Sequence, residues 1–594
     1  MRSFLKYTLA TIVGLIIVII MTIIILGGVV AAIVSSTDTK EIVIKDNSVL
    51  AINFDEAIVD RQPNDPFQSL DIPGLSGTKK LGLDKIITAI ENAKDNENIK
   101  GIYLKVDEIN AGYSACEEIR NALLDFKDSE KFIYAYSESY SQKGYFLTSL
   151  ADKVFINPEG MIVFSGIAST NTFYKNALDK LGVEMQIIRH GKFKSAVEPF
   201  MLDKMSPENR RQIEVYIGSI WNNIVRGISE SRNISISELN RIADENMTYR
   251  PANTLLSYRL VDSVVYEDQV LDMMREKIGI KQNEKINFIS LHDVKPTVVK
   301  NEGKTFTKNK LAVIYASGEI SMTPGTSLTE ESISGPEMAE VIREARMDTT
   351  IKAIVLRINS PGGSSVASEL IWREVDLATK QKPVVVSMGD LAASGGYYIA
   401  CAADTIIANP TTLTGSIGVF GVIPNFQNLL SKKLGINTEV VKTNEKSDLP
   451  SVTRPLNDKE REIMQGMVEN VYTTFVNHVS EGRGLPYQQV DEIGQGRVWT
   501  GENALKLGLV DMLGNLNDAI EIAKEMGGLD HYRVVKLPVK KDPFEEIIKS
   551  FSAQMEYKIL EKNLGEGMKY YKTLETLKNI NGIQARLPYE FEVN

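Results

Sequence analysis

The chain is built from one unit used twice. The octapeptide ADKVFINP at Ala151–Pro158 returns as ADTIIANP at Ala403–Pro410, an offset of 252 residues (Asp152 against Asp404). At the same offset Ile99–Leu104 (IKGIYL) matches Ile351–Leu356 (IKAIVL), and Gly144-Tyr145 matches Gly396-Tyr397. With small gaps, Leu181-Gly182 pairs with Leu434-Gly435, and Leu260–Asp262 with Leu509–Asp511. A constant offset through separate segments marks a duplication. It also divides 594 residues, too many for one ordinary core, into two domains. Each unit alternates short β-branched runs with amphipathic helical stretches, which predicts an α/β domain with a mostly buried sheet. In the second unit strands are expected at Leu311–Tyr315, Ala353–Ile358, Val384–Ser387 and Thr405–Ala408. Helices are expected at Glu337–Arg346 and Ser365–Ala378.

Ahead of the repeats, no charged residue occurs from Tyr7 to Thr37, and Leu9–Val34 is dominated by Ile, Val and Leu. This exceeds the roughly 20 residues that cross a bilayer and the about 7 to 15 of a cleaved signal peptide. Residues 1–40 are therefore expected to be a retained membrane anchor, in contact with lipid through residues 8–34. Arg2 and Lys6 precede the run and set the N-terminus in the cytoplasm by the positive-inside tendency, with everything after it outside. The first repeat is taken as residues 41–295 and the second as 296–540. Lys295 to Asn309 reads as the linker, and 541–594 as a charged, partly helical tail without a legible motif.

Charge and composition exclude several functions. The formal charge is -10, with Lys and Arg dispersed, so the basic stripe that nucleic acid requires is missing. Cys116 and Cys401 are the only cysteines, too few for a disulfide framework or a cysteine metal site. His190, His292, His478 and His531 lack the close spacing that converges on zinc. Neither a metal nor a cofactor is expected.

The two copies differ where chemistry would sit. Asn359–Gly363 (NSPGG) in the second copy faces Asp107–Ala111 (DEINA) in the first, and Ala393–Gly396 (ASGG) faces Ser141–Gly144 (SQKG). Ser394 is thus replaced by Gln142. A serine between Ala393 and Gly395 at a strand-to-helix turn can project its hydroxyl toward a substrate backbone. The Gly395 amide, and a second donor from the Pro361-Gly362-Gly363 turn, expected to be Gly363, could face a developing oxyanion. The same glycines could instead merely pack a helix against the sheet. A serine nucleophile needs a base, and no histidine lies in a suitable motif. A lysine can serve if burial lowers its pKa from about 10.4. Lys194, in KFKSAVEPF, and Lys446, its counterpart in the second unit, are both candidates from spacing alone.

Ser360–Gly363 (SPGG), Ala393–Tyr398 (ASGGYY), Gly415–Val419 (GSIGV) and Lys194–Phe200 (KSAVEPF) resemble the motifs of the signal peptide peptidase A family, also called protease IV, in its long two-repeat form. The resemblance runs from the anchor to about residue 535. It implies two tandem Clp-protease/crotonase-like repeats preceded by an N-terminal transmembrane helix. It further implies a membrane-bound serine endopeptidase with a Ser-Lys dyad, Ser394 as nucleophile, Lys194 as base, and Ser416 orienting the lysine. Single-repeat relatives keep their base at a place like Lys446, but Asn444–Asp448 is more charged, which disfavours a neutral amine. Substrates implied are remnant signal peptides and other short apolar peptides at the outer face of the bacterial cytoplasmic membrane. A homo-oligomer, a tetramer by resemblance, is also implied. Alternatives on the same fold are a crotonase-like acyl-CoA enzyme and an inactive membrane scaffold. Ser76 and Lys79 fit a Ser-x-x-Lys spacing but read as a chance match in a polar loop.

Overall fold

The computed structural model describes residues 4, 6–8, 10–18, 20–21, 44–62, 80–291, 293–294, 307–323, 331–539 and 583–586. Much of the expected anchor (22–34), the linker over 295–306, Ser76 to Lys79, and most of the tail lie outside them. Residues 10–18 are helical, with exposed Ile12, Leu15 and Ile16. Among the described residues no helix is long and apolar enough to cross a membrane.

Each repeat forms its own sheet, parallel throughout in the first unit and parallel except for the antiparallel edge strand Val498–Thr500 in the second, and the order of the four strands between the edges is shared. In the first unit it runs Ser263–Val264, Lys153–Ile162, Phe132–Tyr140, Ile99–Lys105, Ser48–Ile52, Asn287–Ile289. In the second it runs Val498–Thr500, Leu413–Gly415, Val384–Ala393, Ile351–Ser360, Lys310–Ser317, Arg533–Leu537. There Thr405–Ala408 branches from Val384–Ala393 to pair with Met512–Leu513. The central strands are continuous apolar runs, such as Ile354-Val355-Leu356 and Val384-Val385-Val386, all buried. Helices cover both faces of a parallel sheet, so alternation is lost. The strand expected at Val384–Ser387 continues to Ala393, past Gly389 and Asp390, where the β-branched signal fades. The helices form at Gly335–Met347 and Ser365–Thr379.

A third, mixed sheet joins what the two units and the tail contribute. Its order is Ser332–Ser334, Glu319–Ser321, Gly362–Ser364, Ile583–Arg586, Val419–Asn425, Glu184–His190. The first unit's Glu184–His190 pairs antiparallel with the second unit's Val419–Asn425, from Val419 opposite His190 to Asn425 opposite Glu184. The tail, expected to be partly helical, adds a strand at Ile583–Arg586. Its backbone there completes a ladder between two strands, and such pairing overrides local propensity.

Buried polar contacts lock the units together. Arg357 is 1% exposed and donates to Asp60 (2.8 Å) and Glu118 (2.8 Å) of the first unit. Asp390 accepts from the amides of Ser114 (2.9 Å) and Ala115 (3.3 Å), where the helix Tyr113–Lys127 begins and free amides favour an anion. Glu117 accepts from the Thr411 hydroxyl at 2.7 Å. Burial pushes the Glu117 carboxyl up to about 7 and that of Asp390 up to about 6. A carboxyl held above its unfolded value contributes stability that is full below the unfolded pKa and lost as pH rises through the folded one. For Glu117 that window runs from about 4.5 to about 7. Glu117→Gln keeps an oxygen for Thr411 but cannot ionise. Its stability relative to the parent, followed by chemical denaturation, is therefore expected to improve between pH 5 and 8 by on the order of 2–3 kcal/mol.

Candidate active site

Ser394 sits in the tight corner between the strand Val384–Ala393 and the helix Gly395–Ala400, with φ 55° and ψ -114°. This backbone region is sparsely populated for a residue with a Cβ and is held only where surroundings over-determine it. Here the Ser394 amide donates to the Gly415 carbonyl (2.8 Å), and the Ser394 carbonyl accepts from the Tyr398 amide (2.8 Å). Both bonds come from the fold, and together they turn the hydroxyl out of the sheet.

Lys194 reaches the same point from the other unit. It follows the strand Glu184–His190, and Ser416 precedes the strand Val419–Asn425, so their antiparallel pairing brings the two loops together. The Lys194 amine lies 2.8 Å from the Ser394 hydroxyl and donates to the Ser416 hydroxyl (3.1 Å) and carbonyl (3.4 Å). Lys194, Ser394 and Ser416 are all fully buried. Ala196, Val197, Phe420 and Val422 form a small core, and the Phe420 ring centroid is 5.9 Å from the amine. Burial pushes the amine well below the usual lysine range, with no neighbouring charge contributing. Lys446 is exposed, on a loop where Lys442 pairs with Asp448; the structure does not bring it to Ser394.

The rest of the KSAVEPF segment holds Lys194 in place. The Ser195 hydroxyl accepts from Gln212 (2.9 Å), whose own oxygen accepts from the Val498 amide (3.2 Å). Glu198, fully buried, accepts from the Ser206 hydroxyl (2.5 Å) and the Asn209 side-chain amide (2.9 Å). On the opposite side the loop Gln495–Arg497 closes over the lysine. Gly496 has φ 78°, and a Cβ on it would stand 2.6 to 2.7 Å from the Lys194 Cβ, Cα and N. Sequence reading passed over Gly496; its signal, a glycine on each side of Gln495, was present but common to any turn.

The glycine turns meet beside Ser394. Gly395 opens the helix, and Gly363 pairs with Ile320 on one side and Ala585 on the other. Gly362, with φ 97°, makes the closest approach: a Cβ there would lie 2.5 Å from the Gly395 amide nitrogen and 2.2 Å from the Ala585 carbonyl oxygen. The tail strand therefore runs directly past the Gly395 amide. Among the described residues no cluster of His, Cys, Asp and Glu is arranged to hold a metal.

The equivalent place in the first unit is plugged. The Gln142 side-chain oxygen accepts from the amides of Ser165 (3.3 Å) and Gly166 (3.1 Å), and its nitrogen donates to the Tyr113 hydroxyl (3.3 Å). A carboxamide thus fills the space that a hydroxyl and an amine occupy in the second unit.

Comparison with known proteins gives a consistent picture. The model of peptidase family S49 matches residues 125–281 and 376–530, spaced as the internal repeat is. "Protease 4" of Salmonella typhi is 39% identical over 76% of this chain and 72% of its own. "Serine protease SPPA, chloroplastic" of Arabidopsis thaliana is 31% identical over 85% of this chain and 74% of its own. Among solved structures, a mutant of ClpP1 from Listeria monocytogenes aligns with 35% of this chain and 94% of its own, at 15% identity and a TM-score of 0.24.

Gly496→Ala must push the Lys194 backbone aside. Displacement of an activating group by about 1 Å costs on the order of 100-fold in rate. Labelling of Ser394 by a fluorophosphonate probe, followed by mass spectrometry, is expected to slow by about that factor. Equal labelling of variant and parent would mean that Gly496 does not position the lysine.

Proposed function

We propose that this chain, which belongs to peptidase family S49 and is a serine protease, uses Ser394 as its nucleophile and Lys194 as its general base. The observation that carries the assignment is the 2.8 Å approach of the Lys194 amine to the Ser394 hydroxyl inside a fully buried, apolar pocket. A solvated lysine is protonated at neutral pH and cannot accept a proton. Burial without a counter-charge favours the neutral amine, and that is the form a base must have.

The chemistry follows from the geometry. Ser394 gives its proton to the Lys194 lone pair as the hydroxyl oxygen attacks a peptide carbonyl. Ser416 holds the amine from behind through two hydrogen bonds. The Gly395 amide and the amide of Gly363 stabilise the oxyanion. The lysine ammonium then protonates the leaving amine, and a water activated by the same lysine hydrolyses the ester. No metal or cofactor enters these steps. The S49 assignment favours this reading over an acyl-CoA enzyme or an inactive scaffold.

The physiological setting belongs to the same proposal. The uncharged run Tyr7–Thr37 anchors the chain in the bacterial cytoplasmic membrane through residues 8–34, with both repeats on the outer side. Remnant signal peptides and other short apolar peptides are the substrates that such an anchored protease meets there. The active form is a homo-oligomer, a tetramer by the resemblance.

Ser394→Ala and Lys194→Ala are each expected to lower peptide hydrolysis by about 10,000-fold or more, whereas Lys446→Ala retains most of it. Near-normal activity in Lys194→Ala with severe loss in Lys446→Ala would reverse the assignment of the base. The pH profile of kcat/KM should rise along an acid limb as the Lys194 ammonium loses its proton, with its midpoint well below 10.5. Ser416→Ala is expected to lower kcat about tenfold, near the worth of one hydrogen bond.

A further inference from the structure

The loop Gln495–Arg497 that closes over Lys194 is itself held by side chains to which the mechanism has given no part. Gln495 takes φ 53°, a left-handed conformation that a residue with a Cβ keeps only where its surroundings impose it. Its carbonyl accepts from the Phe193 amide (2.9 Å), the Gly496 amide donates to the Ile417 carbonyl (2.7 Å), and the Ser416 amide donates to the Arg497 carbonyl (2.7 Å). The loop backbone thus bonds to the residue before Lys194 and to the residue that holds the lysine amine. Gln495 is gripped in turn from the helix Asp458–Arg483. Tyr472, 2% exposed, donates its hydroxyl to Asp491 (2.6 Å) and accepts from the Gln495 backbone amide and side-chain nitrogen (3.3 Å each). The Gln495 side chain also donates to Asp491 (2.6 Å). Burial first, and then Asp491, hold the Tyr472 hydroxyl well above the usual tyrosine range, so it stays a donor. The ring of the same tyrosine stacks on His190 of the first unit, with 3.7 Å between centroids and 22° between planes. His190 ends the strand Glu184–His190 and its Nδ1 lies 2.6 Å from Glu469.

We infer that Tyr472 is a positioning residue for the dyad: its hydroxyl, fixed by Asp491, holds Gln495 in its left-handed turn and so keeps the Gln495–Arg497 loop shut against Lys194. The inference rests on the assignment of Lys194 as base given above. Tyr472 acts through the loop and not on the reacting atoms. The backbones it works through are in close contact. A Cβ on Gly496 would stand 2.6 Å from the Lys194 Cβ, and one on Gly191, at φ 98°, would stand 2.4 Å from the Gln495 carbonyl oxygen. A shift at Gln495 therefore passes directly to the turn that carries Lys194. Loosening the loop has two consequences. The amine moves off the Ser394 hydroxyl, which slows proton transfer and leaves peptide affinity alone. Water also reaches the amine, and it solvates the ammonium in preference to the neutral form. The titratable groups facing Tyr472 are Asp491 and Tyr487, with His190 and Glu469 across its ring. Among the described residues no neighbouring charge acts on the Lys194 amine, so the acid limb of the pH profile reports on water there. A tyrosine that merely packed the core would affect stability and neither of these properties.

The test measures kcat and KM against pH on a fluorogenic apolar peptide for the full-length parent, Tyr472→Phe, Asp491→Asn, Asp491→Ala and Lys194→Ala, together with the melting temperature of each. Tyr472→Phe keeps the stack on His190 and loses only the hydroxyl. Its kcat is expected to fall about tenfold, near the worth of one hydrogen bond, with KM within about twofold of the parent. The acid limb of its kcat/KM profile should move up by roughly one pH unit as water reaches the amine. Asp491→Ala should behave in the same way. Asp491→Asn keeps an acceptor oxygen for both Tyr472 and Gln495, and is expected to hold kcat within about threefold of the parent with the acid limb in place. A Tyr472→Phe enzyme with the parent's kcat and acid limb, whatever its melting temperature, overturns the inference and leaves the dyad standing. So does a loss of kcat with an unmoved acid limb, or a loss confined to KM. Near-parental activity in Lys194→Ala overturns the dyad itself.

Discussion

The proposed dyad depends on keeping one amine, that of Lys194, uncharged. Water solvates a lysine ammonium so well that removing it from solvent without a partner drives off the proton. That is a cost to folding anywhere else and what the proposed base requires here. The Lys194 side chain is fully buried, with the Phe420 ring centroid 5.9 Å from its amine, which donates to the hydroxyls of Ser394 and Ser416 and to one carbonyl. The enclosure exists because a strand from one repeat pairs with a strand from the other. Neither repeat could build it from its own residues: the first has Gln142 in place of the serine, and in the second Lys446 is exposed.

Duplication explains how such a division could be tolerated. Two copies of one α/β unit present related sheets, and where the second has Ser394 the first has Gln142. Its side chain accepts from the amides of Ser165 and Gly166 and donates to the Tyr113 hydroxyl. With its own site closed, the first unit serves as the carrier of Lys194. The relative placement of the units is held by groups that cannot shift cheaply: the Arg357 guanidinium between Asp60 and Glu118, and Asp390 at the start of the helix Tyr113–Lys127. Removing one partner from a buried pair costs about 3–5 kcal/mol, so sliding the units out of register is strongly opposed.

The third sheet ties both units and the tail together beside the Ser394 corner. Unpaired strand edges are a liability in most proteins, and here the facing edges of Gly362–Ser364 and Val419–Asn425 are both covered by Ile583–Arg586. The Gly362–Ser364 strand also carries the glycine turn beside the Gly395 amide.

The amino-acid sequence was sufficient for the repeat, the α/β class, the strands expected at Ala353–Ile358 and Thr405–Ala408, and the presence of Gln142 in the first copy where the second has Ser394. These are written in local patterns and in one constant offset. It narrowed the base to Lys194 or Lys446, and family resemblance rather than spacing favoured the first. Only the tertiary structure decided that Lys194 is buried and Lys446 exposed, because burial is set by what packs on a residue from a distant part of the chain. The roles of Gly496 and Gly362 were hidden for the same reason: the atoms that exclude a Cβ belong to residues far away in sequence. The tail was the least legible, since four residues of ordinary composition become a strand only when two edges on either side supply their hydrogen bonds.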